Sequence, residues 1–147
     1  MDTVESHVRS RIMAAVKNKG NRSTEQAVRF RLVRAGISGW RLNARDLPGS
    51  PDFAFDHLQI AIYVDGCFWH DCPTHCRRPK SNIDFWEAKL RRNRLRDRRN
   101  RAALREAGWL ILRIWEHELR RPQRAISRIA RTILFRADID HAGAIAP

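Results

Sequence analysis

Long apolar runs are missing from this sequence. Nowhere do about 18 uninterrupted apolar residues occur, the least a membrane-spanning helix needs, and the opening MDTVESHVRS holds no apolar signal-peptide core. A soluble protein of the cytoplasm, working at the nucleoid, is the expectation, with no membrane partner. Cysteine is scarce as well: the three residues present all fall between positions 67 and 76. In a reducing compartment an odd, clustered set is poor disulfide material, which sets aside a disulfide-stapled scaffold. Acid is the third shortage, with 16 Asp and Glu against 29 Lys and Arg, a formal charge of +13 and an isoelectric point near 11.3. So one-sided a charge calls for a polyanionic partner, nucleic acid first. Internal repeats are absent too, and 147 residues suit one domain spanning 1–147, long enough to bury its own core.

What is present reads as alternating elements. Val8, Ile12, Met13 and Val16 recur at helical spacing before the basic linker KNKGNR, so residues 1–22 form an N-terminal arm or helix. Ser23 and Gln26 make a capping box for a helix over 24–35 that Gly36 ends. Pro48, Gly49 and Pro51 in LPGSPDFAF break helix and start a strand near Asp52; LQIAIYV returns after Asp56 and His57 as the second arm of a β-hairpin. Antiparallel pairing brings Asp52 and Asp65 to the same open end. A long arginine-rich helix then runs from Asp84 to a Gly108 cap, WLILRIW is a buried strand, and Pro122 opens a last helix with Ile126, Ile129 and Ile133 on one face. Residues 138–147 read as a flexible tail. The order α, β, β, α, β, α predicts an α/β fold, a mixed central sheet flanked by helices.

The segment DGCFWHDCPTHC leaves the second hairpin strand as an irregular loop, interrupted by Gly66 and Pro73. Cys67, Cys72 and Cys76 are spaced so that their thiolates can turn inward on one structural zinc ion, with an imidazole as fourth ligand. His75 is the local choice for that place; His117, after WLILRIW, would tie the loop to a remote part of the chain. Free cysteine is also a common small core residue, the plainer account of the same residues.

PGSPDFAF, VDGCFWH, the Phe85–Trp86 pair, RNRLRD and GWLILRIWEHE, in that order across roughly residues 6 to 120, resemble the very short patch repair (Vsr) endonucleases. The resemblance implies a restriction-endonuclease-like fold that nicks one strand at a T:G mismatch left by deamination of 5-methylcytosine. A monomer acting on mismatched double-stranded DNA, with other repair proteins as partners, follows from it. On this pattern Asp52 holds catalytic magnesium, the Val64 carbonyl joins the metal shell, and His70 and Asp97 belong to the active site. The match also puts an acid at Glu25 near the site, lets Phe68, Trp69 and Trp86 intercalate beside the mismatch, and makes Met13 a wedge from the minor groove. The chain departs from the pattern at Val64 and Asp65, where well-known members carry threonine and histidine. Asp65 is then a further metal ligand, a base in place of the histidine, or an acid shaping the turn before Gly66.

Hydrolysis of a phosphodiester asks for these residue types on its own account. A hard cation held by carboxylates polarises the phosphate and activates water. His70, with an unperturbed pKa of about 6.5, is suited to move a proton if Asp97 orients it. Without the resemblance, Asp97 amid RLRDRRN reads as a surface ion pair, Glu25 as a helix-dipole partner and Met13 as core. Arg91 and Arg92 lead the densest basic region, too one-signed for mutual neutralisation and suited to a DNA backbone. Two further functions stay open: a related nuclease with another mismatch or sequence target, and a zinc-stabilised DNA-binding module without catalysis.

Overall fold

The computed structural model describes residues 22–143; Met13 and the rest of the expected N-terminal arm lie outside the described residues. Helix α1 (Arg22–Arg34) leads to a two-residue strand β1 (Arg41–Leu42), then β2 (Phe53–Phe55), β3 (Ile60–Asp65), the long helix α2 (Ile83–Glu106), β4 (Leu110–Trp115) and helix α3 (Pro122–Gly143). The sheet order is β1-β2-β3-β4, antiparallel except for the parallel β3–β4 pair, which α2 connects. A parallel pair needs such a crossover because the chain must return to the same end of the sheet. None of the described helices is long and apolar enough to cross a membrane.

Three expectations change. The hairpin link is longer than two residues: a short 3-10 turn (Asp56–Leu58) and Gln59 in a left-handed conformation (φ 50°) join β2 to β3. The edge strand β1 was not foreseen, because two residues are too few to show a period. Residues 138–143 continue α3 instead of starting a tail, since the apolar spacing of Ile126, Ile129 and Ile133 carries the helix through to Gly143.

Strand alternation divides the core. Phe53, Phe55, Ile60, Ile62 and Ile114 pack with Val28 and Leu32 of α1 and Ala125 and Ile129 of α3. Ala61 and Tyr63 point the other way and meet Leu104 of α2, with Trp109 and Ile111 beside them. So α1 and α3 cover one sheet face and α2 covers the other. Side chains of β3 alternate between these faces, and the odd-numbered ones turn toward α2.

The turn ahead of β2 is held against α2 through Tyr63, whose hydroxyl donates to the Pro48 carbonyl at 2.7 Å. Gly49 occupies a left-handed conformation (φ +75°), and a Cβ there would lie 3.0 Å from Asn100 and 3.1 Å from the Tyr63 hydroxyl. Both backbone angle and space demand glycine. Gly49→Ala should cost on the order of 1–3 kcal/mol of stability; urea unfolding checks this, and a variant with an unchanged midpoint would show that the turn relaxes freely.

Candidate active site

Asp65 ends β3 in the odd register of Ala61 and Tyr63, so it faces α2. Phe53 pairs with Ile62 and Ala54 with Ala61; Asp52, two residues before Ala54, continues on the same side. Register therefore places the two carboxylates at one end and on one side of the strand pair. Asp52 and Asp65 are 7% and 5% exposed, and the Val64 amide donates to Asp52 Oδ2 at 2.7 Å. Such burial of two acids is costly unless other groups answer their charge.

Asp65 is answered by Arg113 and His70. Arg113, opposite Tyr63 on β4, donates through Nε to Asp65 Oδ2 at 2.7 Å and lies over the Trp115 ring at 4.3 Å. Asp65 Oδ1 stands 3.6 Å from His70 Nε2. The other ring nitrogen, His70 Nδ1, is 2.5 Å from Asp97 Oδ2 on α2. Burial alone would raise the Asp97 carboxyl, but the bond and charge from His70, with Arg96, outweigh it and hold the group below the usual range. His70 is thus set between two acids, its Nδ1 anchored and its Nε2 directed at the end of β3.

The loop bearing His70 is fastened by groups that the sequence reading passed over. Asn93, buried on α2, donates to the Trp69 carbonyl at 3.1 Å. Asp71 takes Arg78 and Arg94 at 2.7 Å each. Asn93 and Arg94 lie inside the RNRLRD motif, yet an asparagine and an arginine on a polar helix give no sign of which one turns inward.

Cys67, Cys72 and His117 form a cluster whose possible ligand atoms all lie within 4.8 Å of one another. His117 Nδ1 is 3.2 Å from Cys67 Sγ and 3.6 Å from Cys72 Sγ. Zinc bonds of about 2.3 Å to sulfur and 2.0 Å to nitrogen, set tetrahedrally, would put S and N roughly 3.5 Å apart, so these donors fit that ion. Cys76 and His75 do not join the cluster. The Cys76 thiol donates to the Phe68 carbonyl at 3.8 Å, and burial followed by Asp71 pushes its pKa up to about 11. His75 bonds Thr74 and stacks on His117 with ring centres 4.0 Å apart.

Phe68, Trp69 and Trp86 meet edge to face at 5.2 to 6.3 Å, and Lys89 sits over Trp69 and Trp86. Trp69 is covered within this group, whereas Phe85, packed on Trp86, is 54% exposed. Phe85 is the exposed ring of this group, and the sequence marked it only as half of a motif. Arg91 and Arg92 stand exposed on α2. Glu25 begins α1 on the stripe of Val28 and Leu32, outside the contacts that join Asp65, His70, Asp97 and Arg113.

Residues 1–78 match the family model described as DNA mismatch endonuclease Vsr. The chain belongs to the Vsr family. It is 42% identical over 114 residues to the type II nicking enzyme V.NaeI of Lentzea aerocolonigenes, covering 75% of this chain and 68% of that one. Against V.XorIIP of Xanthomonas oryzae it is 40% identical over 121 residues (80% and 86%), and against the DNA mismatch endonuclease Vsr of Escherichia coli 34% over 122 residues (81% and 76%). As a Vsr-family protein the chain is a strand-nicking DNA endonuclease.

The depressed Asp97 carboxyl fixes a pH dependence. A group whose folded pKa lies below its unfolded value of about 3.9 stabilises the protein above that pH, and its contribution fades as pH falls through the folded value. Asp97→Asn should therefore lose stability at neutral pH and approach the parent as pH drops below about 4. Unfolding free energies of both proteins between neutral and acid pH test this; a gap that stays constant would contradict the pairing with His70.

Proposed function

We propose that this Vsr-family chain is a magnesium-dependent mismatch endonuclease of restriction-endonuclease-like fold, nicking one strand at a T:G pair that arises when 5-methylcytosine is deaminated. The observation that carries the reading is the buried series Asp65, His70 and Asp97, with Asp52 buried on the same side of the sheet and bonded to the Val64 amide. Buried carboxylates just before one strand and at the end of its neighbour are hard oxygen donors of the kind a divalent cation takes. Asp52, Asp65 and the Val64 carbonyl would hold magnesium. When bound, that ion polarises the phosphate and acidifies water.

The chain's own groups supply the rest. With Nδ1–H donated to Asp97, the lone pair of His70 sits on Nε2, which takes the proton of the attacking water. Asp97 holds the ring in that tautomer and stabilises the imidazolium that forms, as the acid of a hydrolase triad does. Asp65, with Oδ2 occupied by Arg113, steadies the charged ring through Oδ1. Phe85, Phe68, Trp69 and Trp86 form the face that meets the mismatch, where unstacking costs less than in paired DNA. Arg91 and Arg92 hold the backbone whatever its sequence.

Asp52→Ala should abolish magnesium-dependent nicking, at least a thousandfold, while DNA affinity stays within a few-fold of the parent. Matched and T:G-mismatched duplexes assayed side by side decide the reading: retained cleavage by the variant rejects the role of Asp52, and equal nicking of both duplexes by the parent rejects the mismatch target.

Zinc in the Cys67, Cys72 and His117 cluster belongs to the same proposal, as a staple between the loop and the chain after β4. Freshly purified reduced protein should contain one zinc per chain. Cys72→Ser should lose it and melt lower by on the order of 5–10 °C. Metal analysis finding no zinc in the parent would remove the staple.

A further inference from the structure

A cavity of about 460 Å³ opens beside His70 and Asp97, between the cysteine loop, α2 and the end of β4. Arg94, Asp97, Arg98 and Arg101 line it from one face of α2, at the i, i+3, i+4, i+7 spacing that stacks side chains along a helix. Arg78 enters from the loop and Arg113 from the strand. The acids within reach are already engaged: Asp71 by Arg78 and Arg94, Asp65 by Arg113, and Asp97 by His70 and Arg96. Arg98 and Arg101 have no ion pair among the described residues.

Arg101 is the more telling of the two. It also lines the narrow recess between Asp65, His70 and Asp97, so its guanidinium stands half-buried at the candidate active site. Burial first, and the neighbouring Arg113 next, push its pKa below the ordinary arginine value. Asp97 and Asp65 face it across the recess, but they are already paired with His70 and Arg113, and their charge only partly offsets the burial and the neighbouring cation. An anion would repay that cost.

We infer that this cavity is a binding pocket for a DNA backbone phosphate neighbouring the scissile one on the nicked strand, with Arg101 and Arg98 as its ligands. It rests on the reading of the chain as a DNA-nicking enzyme whose reacting phosphate lies at His70. A planar guanidinium meets two phosphate oxygens at once, which fixes direction as well as charge. Because the cavity adjoins His70, a strand whose phosphate lies at His70 can seat a neighbouring phosphate here, and that would set the register of the scissile bond. That distinguishes Arg101 from Arg91 and Arg92, which stand exposed and bind any backbone that comes near.

The test is a binding measurement without divalent metal, so that it does not depend on cleavage. Parent and Arg101→Gln are titrated with a T:G-mismatched duplex and with copies carrying one neutral methylphosphonate at each successive phosphate around the nick. Arg101→Gln should bind unmodified DNA about tenfold more weakly, with the salt slope reduced by about 0.9. At one or two phosphates flanking the nick, neutralisation should weaken the parent and leave the variant unaffected. The variant's melting temperature without DNA should equal or exceed the parent's, since a half-buried cation that its neighbouring acids only partly offset has gone. Additive losses at every position, or a variant that melts lower, would overturn the pocket. If the parent fails to nick the mismatch yet one phosphate is non-additive, the pocket stands and the proposed target does not.

Discussion

The contact between His70 Nδ1 and Asp97 Oδ2, at 2.5 Å, is the constraint on which the rest of the molecule depends. It joins an irregular loop to a long helix and fixes the orientation of the histidine that the loop carries. A lone histidine in so covered a place would be costly to charge and free to rotate; with Asp97 it has one orientation and a supported charged form. Asn93 and Arg94, one helical turn before Asp97, fasten the same loop through the Trp69 carbonyl and Asp71. The helix is therefore a bracket for the active site before it is a basic surface.

Much of this was legible in the residues. PGSP before an apolar run and IAIYVD after it define a hairpin, and antiparallel pairing with period 2 then puts Asp52 and Asp65 at one end and on one face. Helix spacing likewise gives α1, α2 and the apolar face of α3. The illegible parts are those where the deciding contact comes from far along the chain. Choosing His117 over His75 requires knowing that the end of β4 runs beside the cysteine loop, a consequence of the parallel β3–β4 register. Spacing alone favoured Cys76 as much as Cys72, and only the backbone path sends one thiol to the cluster and the other to Phe68.

Asp65 shows how one substitution relative to the family pattern can be carried. A second carboxylate next to Asp52 brings a buried negative charge where well-known members have an imidazole. Arg113 supplies the counter-charge from the adjacent strand, and Trp115 covers the guanidinium on its other side. Because Ile111, Arg113 and Trp115 share the α2-facing register of β4, an arginine at 113 can reach Asp65, whereas one at 112 would turn into the α1–α3 core. The pair is local and stiff, and it fixes the same carboxylate that the magnesium proposal uses. It makes Asp65 a group that orders the site in the free protein.

The same reasoning separates arginines that a charge count treats as equal. Arg78, Arg94 and Arg113 are engaged with acids and serve the fold. Arg91 and Arg92 are exposed and solvated, so a DNA backbone gains from them mainly by counterion release, sensitive to salt and indifferent to sequence. Arg101 is neither: half-buried beside Arg113, it faces Asp65 and Asp97 across the recess, and both of those are already paired with other groups. A net charge of +13 explains why nucleic acid should bind, but not where the strand must lie. Position comes from the few cations that burial holds rigid, since only those lose affinity when the phosphate moves. In this molecule they cluster around His70, so the groups that give direction to the DNA are also the ones closest to the proposed chemistry.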